Sequence, residues 1–148
     1  MIRWIVDPAE KARIAKKILN ALPDWFGVPE SVREYIEMSR NLPFWASDGD
    51  EGFIVMKPTS DYTAEICVMG VLMHRHRQGT GRALVQALEM YAAGNGYEYL
   101  QVKTVRKGHY AEYDRTCAFY EAVGFRELEC FPAFWDEKNP CQIYVKRI

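Results

Sequence analysis

The stretch Val71-Leu72-Met73-His74-Arg75-His76-Arg77-Gln78-Gly79-Thr80-Gly81-Arg82 decides how this chain is read. An apolar run ends in a basic turn punctuated by two glycines, and the residues after it, Ala83, Leu84, Ala87, Leu88 and Tyr91, fall on one face of a helix. Strand, glycine turn and helix in that order suit an anion. Glycine lets the backbone approach a phosphate closely, the first N–H groups of the helix have no partner inside it, and the helix dipole adds positive potential at the same place. The competing reading is a tight strand-to-helix connection whose glycines serve packing alone. Neither G-x-x-x-x-G-K-[ST] nor a third glycine at dinucleotide spacing is present, which removes the sharpest support for a mononucleotide or nicotinamide site.

Upstream, Asp7-Pro8-Ala9-Glu10 is a helix start with Asp7 as cap and Pro8 at the first helical position, and Ile14, Ala15, Ile18, Leu19 and Leu22 carry the helical period as far as Pro23. A second helix is expected from about Pro29 to Asn41-Leu42-Pro43, with Val32, Tyr35 and Ile36 turned inward. Strands are predicted at Phe44 to Ser47, Gly52 to Lys57 and Tyr62 to Val71, separated by turn sequences. Downstream of the glycine turn, the helix stops at Gly94-Asn95-Gly96 and a strand runs from Tyr97 to Val105. A last helix carries Tyr113, Cys117, Tyr120 and Val123 on one face and ends at Gly124. Strands Phe125 to Phe131 and Gln142 to Lys146 follow, with an aromatic loop from Pro132 to Pro140 between them. Helices interleaved with strands predict one α/β domain over residues 1–148, built on a mixed sheet.

Composition sets the outer bounds. Nineteen Lys plus Arg against twenty Asp plus Glu leave a net charge of −1, so no global basic field would draw the protein onto nucleic acid or acidic lipid, and any anion site must be local. Cys67, Cys117, Cys130 and Cys141 are scattered without a C-x-x-C pair, which fits neither a disulfide scaffold nor a zinc site. No run has signal-peptide or membrane-spanning character, and a cytoplasmic protein is expected. His74 and His76 form an H-x-H, yet no cysteine or carboxylate stands at ligand spacing and no metal is expected.

The turn and a second segment together carry a family resemblance. His76-Arg77-Gln78-Gly79-Thr80-Gly81 resembles the [Q/R]-x-x-G-x-[G/A] signature of the GNAT family of N-acetyltransferases, with His76 where Gln or Arg is usual. Thr116-Cys117-Ala118-Phe119-Tyr120-Glu121-Ala122-Val123-Gly124-Phe125 is similar to that family's A-x-x-F-Y-E-x-x-G-F helix, with Thr116 at the small-residue position and Tyr113 where Asn is frequent. The resemblance is good from about Tyr62 to Phe131, and the first forty or so residues match only in the order of their elements.

The resemblance implies a GNAT fold: a mixed, mostly antiparallel sheet of six to seven strands with a central splayed parallel pair, flanked by about four helices. It implies that acetyl-CoA binds along Val71, Leu72, Met73, Arg77, Gln78, Gly79, Thr80, Gly81 and Arg82, with Tyr113 beside it, and that the Val71 N–H polarises the thioester carbonyl. Arg75 would join Arg77 and Arg82 at the phosphates. Tyr120 would protonate the departing thiolate, since a phenol near pKa 10 can serve a thiol near 8.5. Glu65, near the start of the strand that leads into the turn, would be the base for a primary amine, with burial or a water relay making up for an ordinary glutamate's low basicity; the alternative is a glutamate held by a neighbouring lysine. Cys117 has no histidine partner in sequence, which disfavours a cysteine nucleophile. Two rivals remain at this point: a module that binds acyl-CoA without turnover, and a nucleic-acid binder using Arg75-His76-Arg77. The acceptor is open; its half of the site would come from Pro23 to Pro43 and Phe131 to Pro140. The aromatics Phe131, Phe134 and Trp135 beside Asp136 and Glu137 suit a cationic amine or a homodimer interface equally.

Overall fold

Asp7 caps the first helix as its spacing predicts: its carboxylate accepts the Glu10 N–H at 3.0 Å, with Pro8 opening the helix. In the computed structural model, which describes residues 1–148, this helix is α1 (Pro8–Asn20), followed by α2 (Pro29–Ser39), α3 (Thr80–Gly94) and α4 (Ala111–Ala122). The strands in chain order are β1 (Ile2–Ile5), β2 (Phe44–Ser47), β3 (Gly52–Pro58), β4 (Thr63–Val71), β5 (Tyr99–Val105), β6 (Arg126–Asp136) and β7 (Asn139–Arg147). They form one sheet in the order β1-β2-β3-β4-β5-β7-β6, in which β4 and β5 are parallel and every other pair antiparallel. The expected α/β architecture, with its central parallel pair and four helices, is the observed one.

Both faces of the sheet are covered at β3, which explains why Phe53-Ile54-Val55-Met56 is a continuous apolar run rather than an alternating one. One face packs with α3 and α4 around Leu84, Leu88, Leu100, Tyr120 and Phe125. The other packs with α1 and α2 around Ile14, Ile18, Leu19, Phe44 and Phe53. Gly70 permits close approach of α1 to β4, since a Cβ there would lie 2.9 Å from Ile18 Cγ2. No helix is long and apolar enough to cross a membrane.

One irregularity shapes everything functional. Along β3 and β4, Val55 faces Val68 but Met56 faces Ile66, so Cys67 is an extra residue, a β-bulge. Pairing of β4 with β5 ends at the same level, at Ile66 opposite Val102. Beyond it the two strands diverge and leave a cleft through the middle of the sheet.

Two expectations need correction. The N-terminal residues Ile2–Ile5 form an edge strand against β2 that was not anticipated; four residues with two apolar ends carry too little periodicity to announce one. The segment Pro132 to Pro140 is not a loop. Strand β6 continues to Asp136 and β7 begins at Asn139, with Glu137-Lys138 as the whole connection. Asp136 closes that turn by accepting from Lys138 N at 2.8 Å and Asn139 N at 2.9 Å, and Pro132 is tolerated because β6 is an edge strand that need not donate there.

Candidate active site

Strand β4 ends at Val71, a 3-10 turn covers Met73–Arg75, and the chain then passes through two left-handed residues, Arg77 (φ 62°) and Gly79 (φ 85°), before α3 begins at Thr80. Ala83 is the first residue whose N–H finds a helical acceptor, the Gly79 carbonyl at 3.0 Å, and the N–H groups of Gln78 to Arg82 bond to no backbone carbonyl. That row of unpaired donors at the positive end of a fifteen-residue helix has the chemistry to receive an anion. The two glycines serve different ends. Gly79 has nothing within 4 Å of a Cβ and is needed for its φ, whereas a Cβ on Gly81 would lie 3.0 Å from Phe119 Cε1 and push α4 away from α3.

Side chains brace the turn from outside. Glu51 takes the Arg75 guanidinium in a two-pronged contact at 3.1 and 3.0 Å and also bonds His74, and these two donors pull its carboxyl down to about 2. Gln78 donates to the His74 carbonyl at 2.8 Å and accepts from Arg75 at 3.2 Å. Arg75 is paired with Glu51 and Gln78, and like Arg77 and Arg82 it lines the cavity. His76 at the irregular position bonds the Val71 carbonyl at 2.6 Å through Nε2, which must carry the proton because a carbonyl only accepts. His74 and His76 are thus turned to different partners.

The backbone of β4 faces the cleft at Val71. Leu72 N–H bonds the Glu51 carbonyl at 2.8 Å, and the alternation of an antiparallel ladder then turns the N–H and C=O of Val71 away from β3, toward the side where β5 has diverged. Leu72 itself has its N–H occupied and its side chain packed on the α1–α2 core, and Thr80 leans on Gly52. Of the expected contacts, Val71, Met73, Arg77, Gly79, Gly81, Arg82 and Tyr113 line the cavity, and Leu72, Gln78 and Thr80 do not.

That cavity, about 1250 Å³, runs through the cleft from the turn to the far side of the sheet. Tyr120 lines it from α4, buried among Phe119, Phe125 and Tyr144 with ring centroids 5.5 to 6.3 Å away, and its hydroxyl bonds to no protein group. Burial raises its pKa, so the phenol keeps its proton. Tyr113 donates to the Trp25 carbonyl at 2.6 Å, and burial pushes it up to about 12. The Trp25 indole in turn donates to the Glu112 carbonyl (3.2 Å) and Thr116 Oγ1 (3.1 Å), strapping the α1–α2 connection to α4. Cys117 is buried off the cavity wall with its thiol on the Val105 carbonyl at 3.4 Å, pushed up by burial.

Glu65 lies on β4, fourth strand of the seven, and is 7% exposed. Its Oε1 accepts from Gln101 Nε2 at 2.6 Å and Lys103 Nζ at 2.9 Å. Lys103 lines the cavity and Glu65 does not. Trp25, Tyr35, Cys67 and Lys103, to which the sequence assigned no role in a site, complete the wall together with Phe134 and Trp135 of the hairpin tip, which it did single out. The two segments assigned to the acceptor half do contribute to it, but Cys67 and Lys103 gave no sequence signal, because a bulge and a cross-strand ion pair leave no local pattern.

A family model described as an acetyltransferase (GNAT) domain matches residues 39–127. No curated protein matches the sequence. Among solved structures, the chain is similar to a Desulfovibrio desulfuricans protein described as of the GNAT acetyltransferase family (TM-score 0.82, 23% identity, 99% of this chain and 98% of that one). It is also similar to an aminoglycoside 6'-N-acetyltransferase complexed with coenzyme A (0.76, 19%, 99% and 96%) and to a GNAT family acetyltransferase from Elizabethkingia anophelis with acetyl-CoA bound (0.72, 16%, 100% and 97%). At these identities the likeness is one of fold.

Proposed function

Since this chain belongs to the GNAT acetyltransferase family, we propose that it is an acetyl-CoA-dependent N-acetyltransferase in which a primary amine attacks the thioester directly. The observation that carries the reading is the row of unpaired N–H groups from Gln78 to Arg82, of which Gly79, Gly81 and Arg82 line the same cavity as Tyr120 with its free hydroxyl. Acetyl-CoA supplies an activated acetyl group, and the chain's residues bind, orient and move protons around it. The cradle N–H groups, with Arg77 and Arg82, hold the pyrophosphate. The cleft left by β4 and β5 takes the extended arm, with Tyr113 at its wall, and the Val71 N–H stabilises charge developing on the carbonyl oxygen. Tyr120, kept protonated by burial, donates its proton to the departing sulfur. Glu65 accepts the amine's proton by way of a water, through Oε2, since Oε1 is occupied by Gln101 and Lys103.

That same occupation of Glu65 is the observation favouring a second reading, a module that binds acyl-CoA without turnover. The two separate in one experiment. Thermal shift with acetyl-CoA tests the cradle, and release of free thiol across a panel of amines tests transfer; a shift without thiol from any amine selects the second reading, and no shift removes both.

A further inference from the structure

From the walls of the acceptor half of this cavity we infer the class of amine it takes, an inference that rests on the acetyl-transfer reading: a monoamine borne on an aromatic or bulky apolar body, not a polycation. Beyond the phosphate turn the lining is aromatic, with Phe26 and Tyr35 from the α1–α2 region and Phe134 and Trp135 from the β6–β7 hairpin tip, while Trp25 joins this wall to the turn through its edge contact with His76 at 5.8 Å. A ligand filling that space gains by removing apolar surface from water and by edge and face contacts with the rings.

The charges argue in the same direction. Asp136 is the one carboxylate on the cavity wall. It is spent on its own turn, accepting from Lys138 N (2.8 Å), Asn139 N (2.9 Å) and Asn139 Nδ2 (2.9 and 3.0 Å), and the Asn139 bonds lead in holding its pKa below the usual range. The remaining charges of this half are cationic. Arg115 lines the cavity without an ion-pair partner, and Lys103 lies between Glu65 Oε1 and the Phe134 ring, 5.6 Å from its centroid. A polyamine or amino sugar would therefore bring further ammonium groups beside Arg115 and Lys103 with no free carboxylate on the wall to receive them, Glu65 behind it being already paired with Lys103, a burial that is unfavourable. A monoamine loses its proton before attack, which the cationic wall favours. The Tyr35 hydroxyl, with no protein partner, is a polar contact left for the amine or for a substituent on its ring.

The test uses the intact chain saturated with CoA or acetyl-CoA. Binding of phenethylamine, spermidine and kanamycin is followed by isothermal titration calorimetry, and transfer by thiol release. The expected result is an apparent Kd and KM for phenethylamine at least about tenfold below those for the two polycations, with Phe134→Ala raising the phenethylamine KM about tenfold at little change in KM for acetyl-CoA. Phe134 is 56% exposed, so its removal leaves the fold intact, and Phe134→Leu should recover part of the loss. Spermidine or kanamycin binding or reacting as well as phenethylamine overturns the inference, as does no response to phenethylamine in either assay. Phenethylamine binding without thiol release from any amine supports the pocket and defeats acetyl transfer; release from polycations alone defeats the pocket and supports transfer.

Discussion

Lys103 Nζ lies 2.9 Å from Glu65 Oε1 across the central parallel pair of strands, with Glu65 7% exposed. The pair is placed where the two strands are about to part, with Lys103 on the cavity wall and Glu65 behind it. Lys103→Met would leave a buried carboxylate with Gln101 as its one donor, and a loss of about 2 kcal/mol in urea unfolding is expected. Glu65→Gln keeps the size and should cost less. If Glu65 is the base, Glu65→Gln also lowers kcat by about 100-fold while Lys103→Met does not; equal and small effects on kcat would leave the pair purely structural.

Gly81→Ala and Gly79→Ala fail for different reasons and should be separable. The Gly81 methyl would meet Phe119 at 3.0 and 3.1 Å, an overpacking cost of about 1–3 kcal/mol, relieved in the double variant with Phe119→Leu. At Gly79 space is free, but φ is 85°, so alanine costs about 1 kcal/mol and no change at Phe119 restores it. Thermal unfolding of the two singles and the two doubles decides this.

The reason the fold was legible in the sequence is visible in these glycines. A strand, two glycines at fixed offset and an amphipathic helix state the topology of the crossover, and the Phe119-Tyr120 helix places its partner. What was not legible depends on residues distant in sequence. The strand at Ile2–Ile5 exists because β2 offers an edge, and the β6–β7 hairpin runs to its tip because Asp136 accepts the N–H groups of Lys138 and Asn139, where the sequence predicted an aromatic loop. Around the cavity, the turn and the place of Tyr120 on its helix could be read from local pattern, whereas the Cys67 bulge, the Lys103 pairing and the ion pair of Arg75 with Glu51 are tertiary.

Glu51 gives the turn an acid-sensitive brace. Its carboxyl falls from an ordinary 4.5 to about 2 through bonds from Arg75 and then His74. A depressed pKa in the folded state means that the stabilisation is complete above about pH 4.5 and is lost as pH falls toward 2. Glu51→Gln should therefore flatten the decline of Tm through that window and, at neutral pH, weaken acetyl-CoA binding by loosening the turn. A decline identical to wild type would mean that the brace does not contribute.

Trp25 and Tyr113 form the strap between the α1–α2 connection and α4. Trp25→Phe removes the indole donor to the Glu112 carbonyl and Thr116 Oγ1, and Tyr113→Phe removes the donor to the Trp25 carbonyl. Each should cost about 1 kcal/mol. The singles should not add, since both changes release the same connection, and faster proteolytic cleavage between α1 and α2 is the expected local sign.

Tyr120→Phe isolates the proposed acid from the core it sits in. The ring contacts with Phe119, Phe125 and Tyr144 survive, and the hydroxyl that is lost has no protein partner, so Tm should hold or rise slightly. The proposed role predicts a fall in kcat of about 100-fold with KM for acetyl-CoA within about twofold. Burial raises the phenol's pKa, so wild-type Tyr120 remains protonated from about pH 6 to 9 and the ratio of the two rates should be flat across that range. A ratio that closes toward high pH would mean the phenol ionises there and is not kept as an acid by its surroundings; an unchanged kcat would take Tyr120 out of the chemistry and leave it a core residue at the cavity wall.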